Sequence, residues 1–501
     1  MKQILFLFAV LTFILVQVVN AQAAEIDTAE IMKMMQLPQD NWMNVTLTGT
    51  KIGYIHTYME QSEYEGEPVI RIRVDNVMDL RRAGTPFRAE AARVTYVGMD
   101  GQTRHFISVS NETGHEKRVE GRVQDGTLYL KTTLDGETKQ SQRTMPSETI
   151  SEMMVTARLL KGGIRVGEKH TFNVFSLELF EPMKTEIEVL REDEISYDGE
   201  LETVYVLDYT MHLMGEQKAT MWVGQDGTIY RMNIPLMGMS IEHTKTDMET
   251  ALGEVGQVDL ILATKLVAQG RRPVPESRYF KARLRLAGGG LDKAVVANER
   301  QKLIISDENQ REGILEINVP TVYVSKALNL SAELIQGEMA EFLKSTVYIQ
   351  ADAPEIREKA AELIGGETNS WKAAKKLCRW VNENISDKNL KVGFGSALRT
   401  LESREGDCTE HTVLLIALAR AAGIPARVCA GIVYVGDAFY YHFWPEVYVG
   451  EWVAMEPTLG QIQADANHIQ LSGSILESDS MLELGEGIMR TLNQLEIEVI
   501  E

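Results

Sequence analysis

The chain has 501 residues, 44% of them hydrophobic and 25% charged, which is enough for more than one domain with a substantial core. Its 72 acidic residues outnumber the 51 lysines and arginines, and the formal charge is −21. This balance excludes simple electrostatic binding to nucleic acid or to an anionic membrane surface, and it suits a soluble protein.

The N-terminus has the pattern of a secretory signal peptide at residues 1–23. Lys2 precedes an apolar run from Ile4 to Val19, and Ala21-Gln22-Ala23 supplies the small residues preferred at a cleavage site. The run is short for a membrane span, although an uncleaved anchor is the alternative. The sequence therefore predicts a periplasmic or secreted protein.

Residues 25–252 are predicted to form a large antiparallel all-β domain. Alternating or β-branched segments run through Thr46 to Thr57, Val69 to Val74, Ala92 to Val97, Thr203 to Met211 and Ala219 to Val223. Asp-Gly pairs, which favour hairpin turns, begin at Asp100, Asp125, Asp135, Asp198 and Asp226. The sequence of this region contains no nucleophile motif, glycine-rich phosphate loop or ligand cluster. A ligand-binding sheet and a docking platform are equally compatible with it.

A proline-containing linker, Gln269 to Ser277, leads to a predicted small β domain at residues 278–330. Its expected strands are Tyr279 to Leu286, Lys302 to Ser306 and Gly313 to Val319. Two helices then follow. The first begins at Pro354 and ends at Gly365, and the second is capped by Asn369 or Ser370. The second should bury Ala374, Leu377, Val381 and Ile385. The stretch from Lys388 to Arg399 is expected to be a loop or partly helical.

Cys408 is predicted to open an apolar helix that continues through Val413 to Ala422 and ends at Gly423. Asp407 can cap this helix, and Glu410 three residues later completes a capping-box pattern. A thiol in the first turn lies near unpaired backbone N–H groups and the positive end of the helix dipole. That setting favours the thiolate, which is the nucleophilic form of cysteine.

Three predicted strands follow the helix. They are Ala426 to Tyr434, Phe439 to Val449 and Trp452 to Glu456. Alternation places His442, Trp444, Glu446 and Tyr448 on one face of the second strand. If the turn to the third strand centres near residue 449, His442 and Glu456 lie opposite each other, and a shift of two would leave them diagonal neighbours. Cys408, His442 and Glu456 then supply a nucleophile, a base and an acid that orients the base.

A resemblance to the transglutaminase-like superfamily is carried by two segments, LRTLESREGDCTEHTVLLIALARAAGIPARVCAGIVYV and YYHFWPEVYVGEWVAMEPTLGQIQADANHIQL. It covers residues 340–475 and implies an α+β papain-like domain. By that resemblance Cys408 matches the nucleophile, His442 the general base and Glu456 the orienting acid. The family usually has aspartate at the last of these positions, so the side chain of Glu456 is one methylene longer than the usual residue. The oxyanion hole is expected to include the backbone N–H of Cys408.

These residues predict an exported thiol enzyme that acts on carboxamide or peptide bonds through a thioester intermediate. Nothing in them selects water over an amine as the second substrate. Hydrolysis by a peptidase or amidase is favoured because water is abundant and the sequence shows no dedicated amine site. The expected substrate is a protein or peptide. The alternative is a catalytically degenerate member of the family that serves as a scaffold or binding protein of the cell envelope.

Several nearby residues are given a structural interpretation. His411 is expected to support the site, Glu446 to bond a neighbouring strand, and Asp465 and His468 to be structural. Trp444 fits packing beneath the site and shielding of the imidazole equally well. The sequence predicts no cofactor and no metal, because Cys408 and His411 lack a second pair with ligand spacing.

The other two cysteines, Cys378 and Cys429, are interpreted as buried free thiols, with a disulfide between them as the alternative. Residues 476–501 are predicted to add a helix from Ile475 to Leu495 and a last strand from Leu495 to Ile500.

Overall fold

The computed structural model describes residues 37–501 apart from 113–114, 147–148, 152–154, 156–158, 160–162, 178, 213–215, 237–238, 307, 331–336, 391–394 and 477–481. The predicted signal peptide lies outside the described residues. No helix within them is long and apolar enough to cross a membrane.

The N-terminal half forms one large sheet, which confirms the predicted antiparallel β architecture. Fifteen strands of the described chain join in the order β8-β7-β6-β5-β4-β3-β2-β1-β15-β14-β13-β12-β11-β10-β9. They are β1 (Gln39–Leu47), β2 (Thr50–Tyr64), β3 (Glu67–Arg82), β4 (Thr85–Gly98), β5 (Thr103–Glu112), β6 (His115–Gln124), β7 (Thr127–Leu134), β8 (Glu137–Thr144), β9 (Ile150–Ser151), β10 (Lys169–Ser176), β11 (Glu181–Tyr197), β12 (Glu200–His212), β13 (Glu216–Gly224), β14 (Ile229–Leu236) and β15 (Met239–Thr246). Neighbours are antiparallel except for the short β9–β10 pair. The sheet is two meanders joined where β1 pairs with β15.

Turn chemistry explains most of the connections in this sheet. Each predicted Asp-Gly pair lies between consecutive strands, and at Asp125-Gly126 both residues have the positive φ of a tight hairpin turn. The predicted continuous strand from Thr46 to Thr57 is wrong. Thr48 and Gly49 both have positive φ and form a turn that separates β1 from β2. The hairpin was missed because the segment is rich in β-branched residues and its turn lacks an Asp-Gly pair.

The remaining strands build two smaller sheets. They are β16 (Gln269–Gly270), β17 (Tyr279–Leu286), β18 (Gln301–Ile305), β19 (Glu312–Asn318), β20 (Ala426–Val435), β21 (Ala438–Tyr448), β22 (Trp452–Ala454), β23 (His468–Ser474) and β24 (Leu495–Val499). One sheet has the order β16-β24-β17-β19-β18, and the other β22-β21-β20-β23. The predicted strands of the small β unit appear as β17, β18 and β19. The C-terminal strand β24 pairs with β17 and completes that sheet.

The described residues also form helices, which pack on all three sheets. They are α1 (Met248–Leu252), α2 (Leu260–Thr264), α3 (Leu291–Ala294), α4 (Pro354–Ile364), α5 (Ser370–Asn384), α6 (Ala397–Ser403), α7 (Cys408–Ala421) and α8 (Leu482–Thr491), with a 3₁₀ helix at Gly337–Leu343. Helix α8 is shorter than the helix predicted from Ile475 to Leu495. Helix α4 ends at Gly365 in the left-handed conformation, as predicted, and Asn369 caps α5. Helix α7 lies against β21 and is flanked by α4, α5 and α6.

The large sheet also contacts the loop that precedes α7. Arg82, at the end of β3, is buried, and its Nε donates to the carbonyl of Leu390 at 3.2 Å. Its guanidinium lies 3.9 Å from the carboxylate of Asp407, the residue that caps α7. Asp135, in the turn between β7 and β8, accepts from the backbone N–H of Ser396 at 3.2 Å. The β sheet therefore helps to hold the residues that lead into Cys408.

Candidate active site

Cys408 begins helix α7, and the predicted capping box is present. The Asp407 side chain accepts from Thr409 N at 3.1 Å, while Glu410 accepts from Asp407 N at 2.9 Å. Residues 409–420 of the helix are buried, whereas Cys408 itself is only half-buried. The apolar helix thus fixes the backbone, and the thiol at its N-terminus is left partly accessible.

The register of the next strands differs slightly from the first expectation. Tyr448 pairs with Trp452 and Glu446 with Ala454, so the turn centres on Gly450 rather than near residue 449. Strand β22 ends at Ala454, before Glu456. In this register Glu456 and His442 are diagonal neighbours, which is the second arrangement that the sequence allowed. The longer arm of glutamate spans the diagonal, and His442 Nε2 lies 2.7 Å from Glu456 Oε2.

Glu456 is completely buried, and both of its oxygens are engaged. Oε1 accepts from the backbone N–H groups of Thr458 and Leu459 at 2.9 and 3.0 Å. Oε2 faces the Nε2 atoms of His442 and His468 at 2.7 and 3.0 Å. Burial alone would raise the pKa of this carboxyl, but the two imidazoles outweigh burial and hold the pKa well below its usual range. Glu456 is therefore a carboxylate inside the protein.

His442 is also buried, and its environment favours the imidazolium. Burial opposes the charge, but interactions with the Glu456 carboxylate and with the Cys408 sulfur raise the pKa of His442 to about 10. Because Nε2 is directed at Glu456, the interaction with Cys408 is left to Nδ1. The three sequence-predicted site residues therefore come together, in the order thiol, imidazole, carboxylate.

The sequence interpretation missed the contact of His468 with this group. His468 is the first residue of β23 and is completely buried. Its Nε2 lies 3.0 Å from Glu456 Oε2, and its Nδ1 lies 2.9 Å from Asp465 Oδ1. The signal in the sequence was the pair Asp465 and His468 three residues apart. Their relation to Glu456 depends on a loop whose path cannot be derived from alternation.

A glycine on the central strand leaves space for the Trp444 indole beside the two imidazoles. Strand β20 lies between β21 and β23, and Gly431 stands opposite His442. A Cβ at Gly431 would lie 2.6 Å from Cη2 of Trp444 and 2.0 Å from the carbonyl oxygen of Ile469. The indole occupies this space, with ring centroids 6.2 Å from His442 and 5.3 Å from His468. Trp444 is 1% exposed and forms an apolar wall beside both imidazoles.

Two neighbouring residues have the structural contacts that the sequence favoured. His411 Nδ1 lies 2.7 Å from the carbonyl of Asp407, and burial lowers the pKa of His411 to about 4, so its ring is neutral. Glu446 pairs across the strands with Arg427, whose Nε donates to it at 2.8 Å. Glu446 therefore ties β21 to β20.

Cys378 and Cys429 are buried free thiols. Burial raises the pKa of Cys378 to about 12 and raises the pKa of Cys429 well above its ordinary value. Both thiols are therefore protonated near neutral pH.

In one group of the described residues, the possible ligand atoms lie close enough together to bind a metal ion. Ligand atoms of His442, Glu456 and His468 lie within 4.8 Å of one another. Both Nε2 atoms, however, face the same carboxylate oxygen at the distances of hydrogen bonds. We therefore interpret this group as a hydrogen-bonded network.

Comparison with known proteins identifies a transglutaminase-like domain. Residues 357–457 match the family described as the transglutaminase-like superfamily, which confirms the resemblance over that range. An uncharacterized protein of Haemophilus influenzae is 35% identical over 99 residues, which are 19% of this chain and 27% of the relative. The chain thus spans about a quarter of that relative's length.

Solved structures with similarity to parts of the chain include two bacterial proteins. A provisionally named cysteine protease from Cytophaga hutchinsonii has 16% identity and a TM-score of 0.30, covering 44% of this chain and 81% of its own. The periplasmic domain of TgpA from Pseudomonas aeruginosa, bound to ethylmercury, has 16% identity and a TM-score of 0.25, covering 42% and 88%.

Proposed function

We propose that this chain, which carries a transglutaminase-like domain at residues 357–457, is an exported thiol enzyme acting on carboxamide or peptide bonds. Cys408 is the nucleophile, His442 the general acid and base, and Glu456 the group that orients His442. Hydrolysis is the proposed outcome, so the enzyme is a peptidase or amidase.

The observation that carries the proposal is the 2.7 Å contact between the buried imidazole of His442 and the buried carboxylate of Glu456. A carboxylate without a cationic partner is costly to bury, so this pair stabilises a protonated imidazole next to the thiol. A protonated imidazole favours the thiolate and is ready to donate to a leaving amine. These are the two properties required by the first step of acyl transfer.

The reaction follows from these positions. The Cys408 thiolate attacks the carbonyl carbon, and the proton of His442 passes to the departing nitrogen as its bond to carbon breaks. The acyl group then remains on sulfur as a thioester. Water attacks the thioester, neutral His442 takes a proton from that water, and the carboxylic acid product leaves as the thiolate–imidazolium pair is restored.

We expect Cys408 to react with iodoacetamide as an activated thiol. Because the pKa of His442 is raised to about 10, its imidazolium should favour the thiolate, and the labelling rate should already be high at neutral pH. Labelling rates across pH, followed by intact mass, test this expectation. The matched internal controls are Cys378 and Cys429, which should stay unlabelled in the folded protein. A titration typical of an ordinary thiol would favour the scaffold alternative.

Hydrolysis and amine transfer can be separated by product analysis. Glutamine-containing peptides would be incubated with the protein, with and without a primary amine in excess, and the products identified by mass. We expect free acids in both cases. Predominant amine adducts would replace the peptidase or amidase assignment with a transglutaminase.

Export is proposed from the sequence pattern at residues 1–23. Cleavage after Ala23 should give a mature chain beginning near Ala24, recovered outside the cytoplasm and released from the membrane. Mass analysis of the N-terminal peptide checks this. Recovery of intact Met1 in the membrane fraction would show an anchored protein instead.

A further inference from the structure

We propose that His468 is a positioning residue of the thiol site: as an imidazolium held by Asp465, it fixes Glu456 from the side opposite His442. This inference rests on the proposed function and extends it to a residue that does not touch the substrate. The site then contains a row of five interacting side chains, in the order Cys408, His442, Glu456, His468 and Asp465.

The charge of His468 follows from its two contacts. Nε2 lies 3.0 Å from Glu456 Oε2 and Nδ1 lies 2.9 Å from Asp465 Oδ1, and all three side chains are buried. A neutral imidazole carries one N–H and can donate to only one carboxylate. Its second nitrogen would then present a lone pair to an anionic oxygen. Only the imidazolium donates to both carboxylates.

Both carboxyl groups also accept hydrogen bonds from groups other than His468. Glu456 accepts from two backbone N–H groups and from His442, as described above. Asp465 Oδ2 accepts from the backbone N–H of Glu276 at 2.9 Å and from Gln461 Nε2 at 3.2 Å. Its Oδ1 accepts from the N–H of Asn467 at 3.0 Å. Burial raises the pKa of Asp465, but His468, together with the donors Gln461 and Glu276 N–H, outweighs burial and keeps that pKa below its usual range.

The charges of these five side chains alternate in sign when His468 is an imidazolium. Cys408 thiolate, Glu456 and Asp465 are negative, while His442 and His468 are positive. The nearby cation Arg300, which donates to the carbonyl of His468 at 2.9 Å and interacts electrostatically with Glu446 and Asp465, adds a further positive charge. Such a balanced buried group is far less costly than one with an unpaired charge.

The other groups around this cluster determine its electrostatic setting. Charged or titratable side chains on neighbouring elements include Cys378, Lys388, Asp407, His411, Arg427, Cys429, Glu446 and the Glu486–Arg490 pair of α8. Asp407 accepts from Thr409 and lies 3.9 Å from the Arg82 guanidinium, Glu446 pairs with Arg427, and Glu486 pairs with Arg490. Within the described residues, His468 is the cation that shares a carboxylate oxygen with His442.

His468 should therefore influence the protonation of the Cys408–His442 pair, which performs the chemistry. Its ring centroid lies 5.9 Å from that of His442. A positive charge at this distance lowers the pH at which nearby groups lose their protons. It also prevents Glu456 from rotating away from His442, because Oε2 is held from two sides.

The test compares the pH dependence of Cys408 alkylation in the parent chain and in His468→Gln, with EDTA in all buffers. Glutamine can still donate to Glu456 but removes the charge, so the midpoint of alkylation should rise by about one pH unit. The matched control is His243→Gln. His243 is another buried histidine, in the large sheet, and burial lowers its pKa to about 4, so its removal takes away no charge. An unchanged midpoint in folded His468→Gln would overturn the proposal.

A second measurement covers the case in which His468→Gln does not fold. Nitrogen-15 NMR of the parent protein reports the protonation of each ring nitrogen, and both nitrogens of His468 should carry protons from about pH 6 to 8. A neutral tautomer in that range would contradict the proposal. This readout does not depend on turnover. The inference can therefore fail while Cys408 remains the nucleophile, and it can hold in a protein that catalyses no reaction.

Discussion

Replacing Cys408 by alanine is expected to abolish hydrolysis and transfer while leaving the fold intact. The thiol is the atom that bonds to the acyl carbon, so its removal should lower the rate by on the order of 10⁴-fold or more. Cys408 is half-buried, at the start of a helix whose cap is supplied by Asp407 and Glu410. The variant should therefore unfold close to the temperature of the parent. Peptide hydrolysis and thermal unfolding, measured on the same preparation, check both parts.

The other two cysteines provide matched controls of the same size. Cys378 and Cys429 are buried, and Gln470 Nε2 lies 3.2 Å from the sulfur of Cys429. Their alanine variants should keep the activity and lose roughly 1–2 kcal/mol of unfolding free energy, as small buried side chains do. Activity retained in the Cys408 variant, or lost only in a control, would remove the nucleophile assignment.

Elements with strong local signals were predictable from the sequence. The capping box before Cys408, the glycine that ends α4 and the Asp-Gly hairpins each reflect a local backbone requirement. Two features were missed, one because its local signal is unusual and one because it is not local. The turn at Thr48-Gly49 lacks an Asp-Gly pair, and the pairing of β24 with β17 joins segments about 200 residues apart. Pairing over such distances is determined by tertiary packing, which alternation does not encode.

The candidate site was also predictable from the sequence only in part. Alternation placed His442 and Glu456 close enough to meet, although the register proved diagonal. The structural interpretation of His468 rests on its position after the predicted catalytic residues, and periodicity gives no direction for a side chain that follows an irregular loop. Its contact requires the β20–β23 pairing and the space at Gly431. The contact of Arg82 with Asp407 likewise links residues that only the tertiary fold brings together.

The second large effect is expected from substitution of Glu456, which stands where the family usually has aspartate. Glu456→Gln should reduce the rate by about 10³–10⁴-fold, because an amide cannot stabilise the imidazolium through which the proton moves. Burial of His442 would then be unopposed by Glu456, and the pKa of His442 should fall from about 10. The imidazolium would be lost at lower pH, and Cys408 alkylation would shift toward the behaviour of an ordinary thiol. Both the rate and the alkylation profile should change in this variant.

Glu456→Asp is the matched variant, because it keeps the charge and restores the family's usual residue. Its arm is one methylene shorter, while the glutamate contacts two imidazoles and the backbone of Thr458 and Leu459. If the strand register accommodates the shorter arm toward His442, activity should be retained or raised, and His442 should stay protonated. If Glu456→Gln were as active as the parent and equally folded, Cys408 and His442 would work as a dyad. The alternating buried charges would then serve stability alone, since removing the carboxylate would leave the proton transfer unaffected.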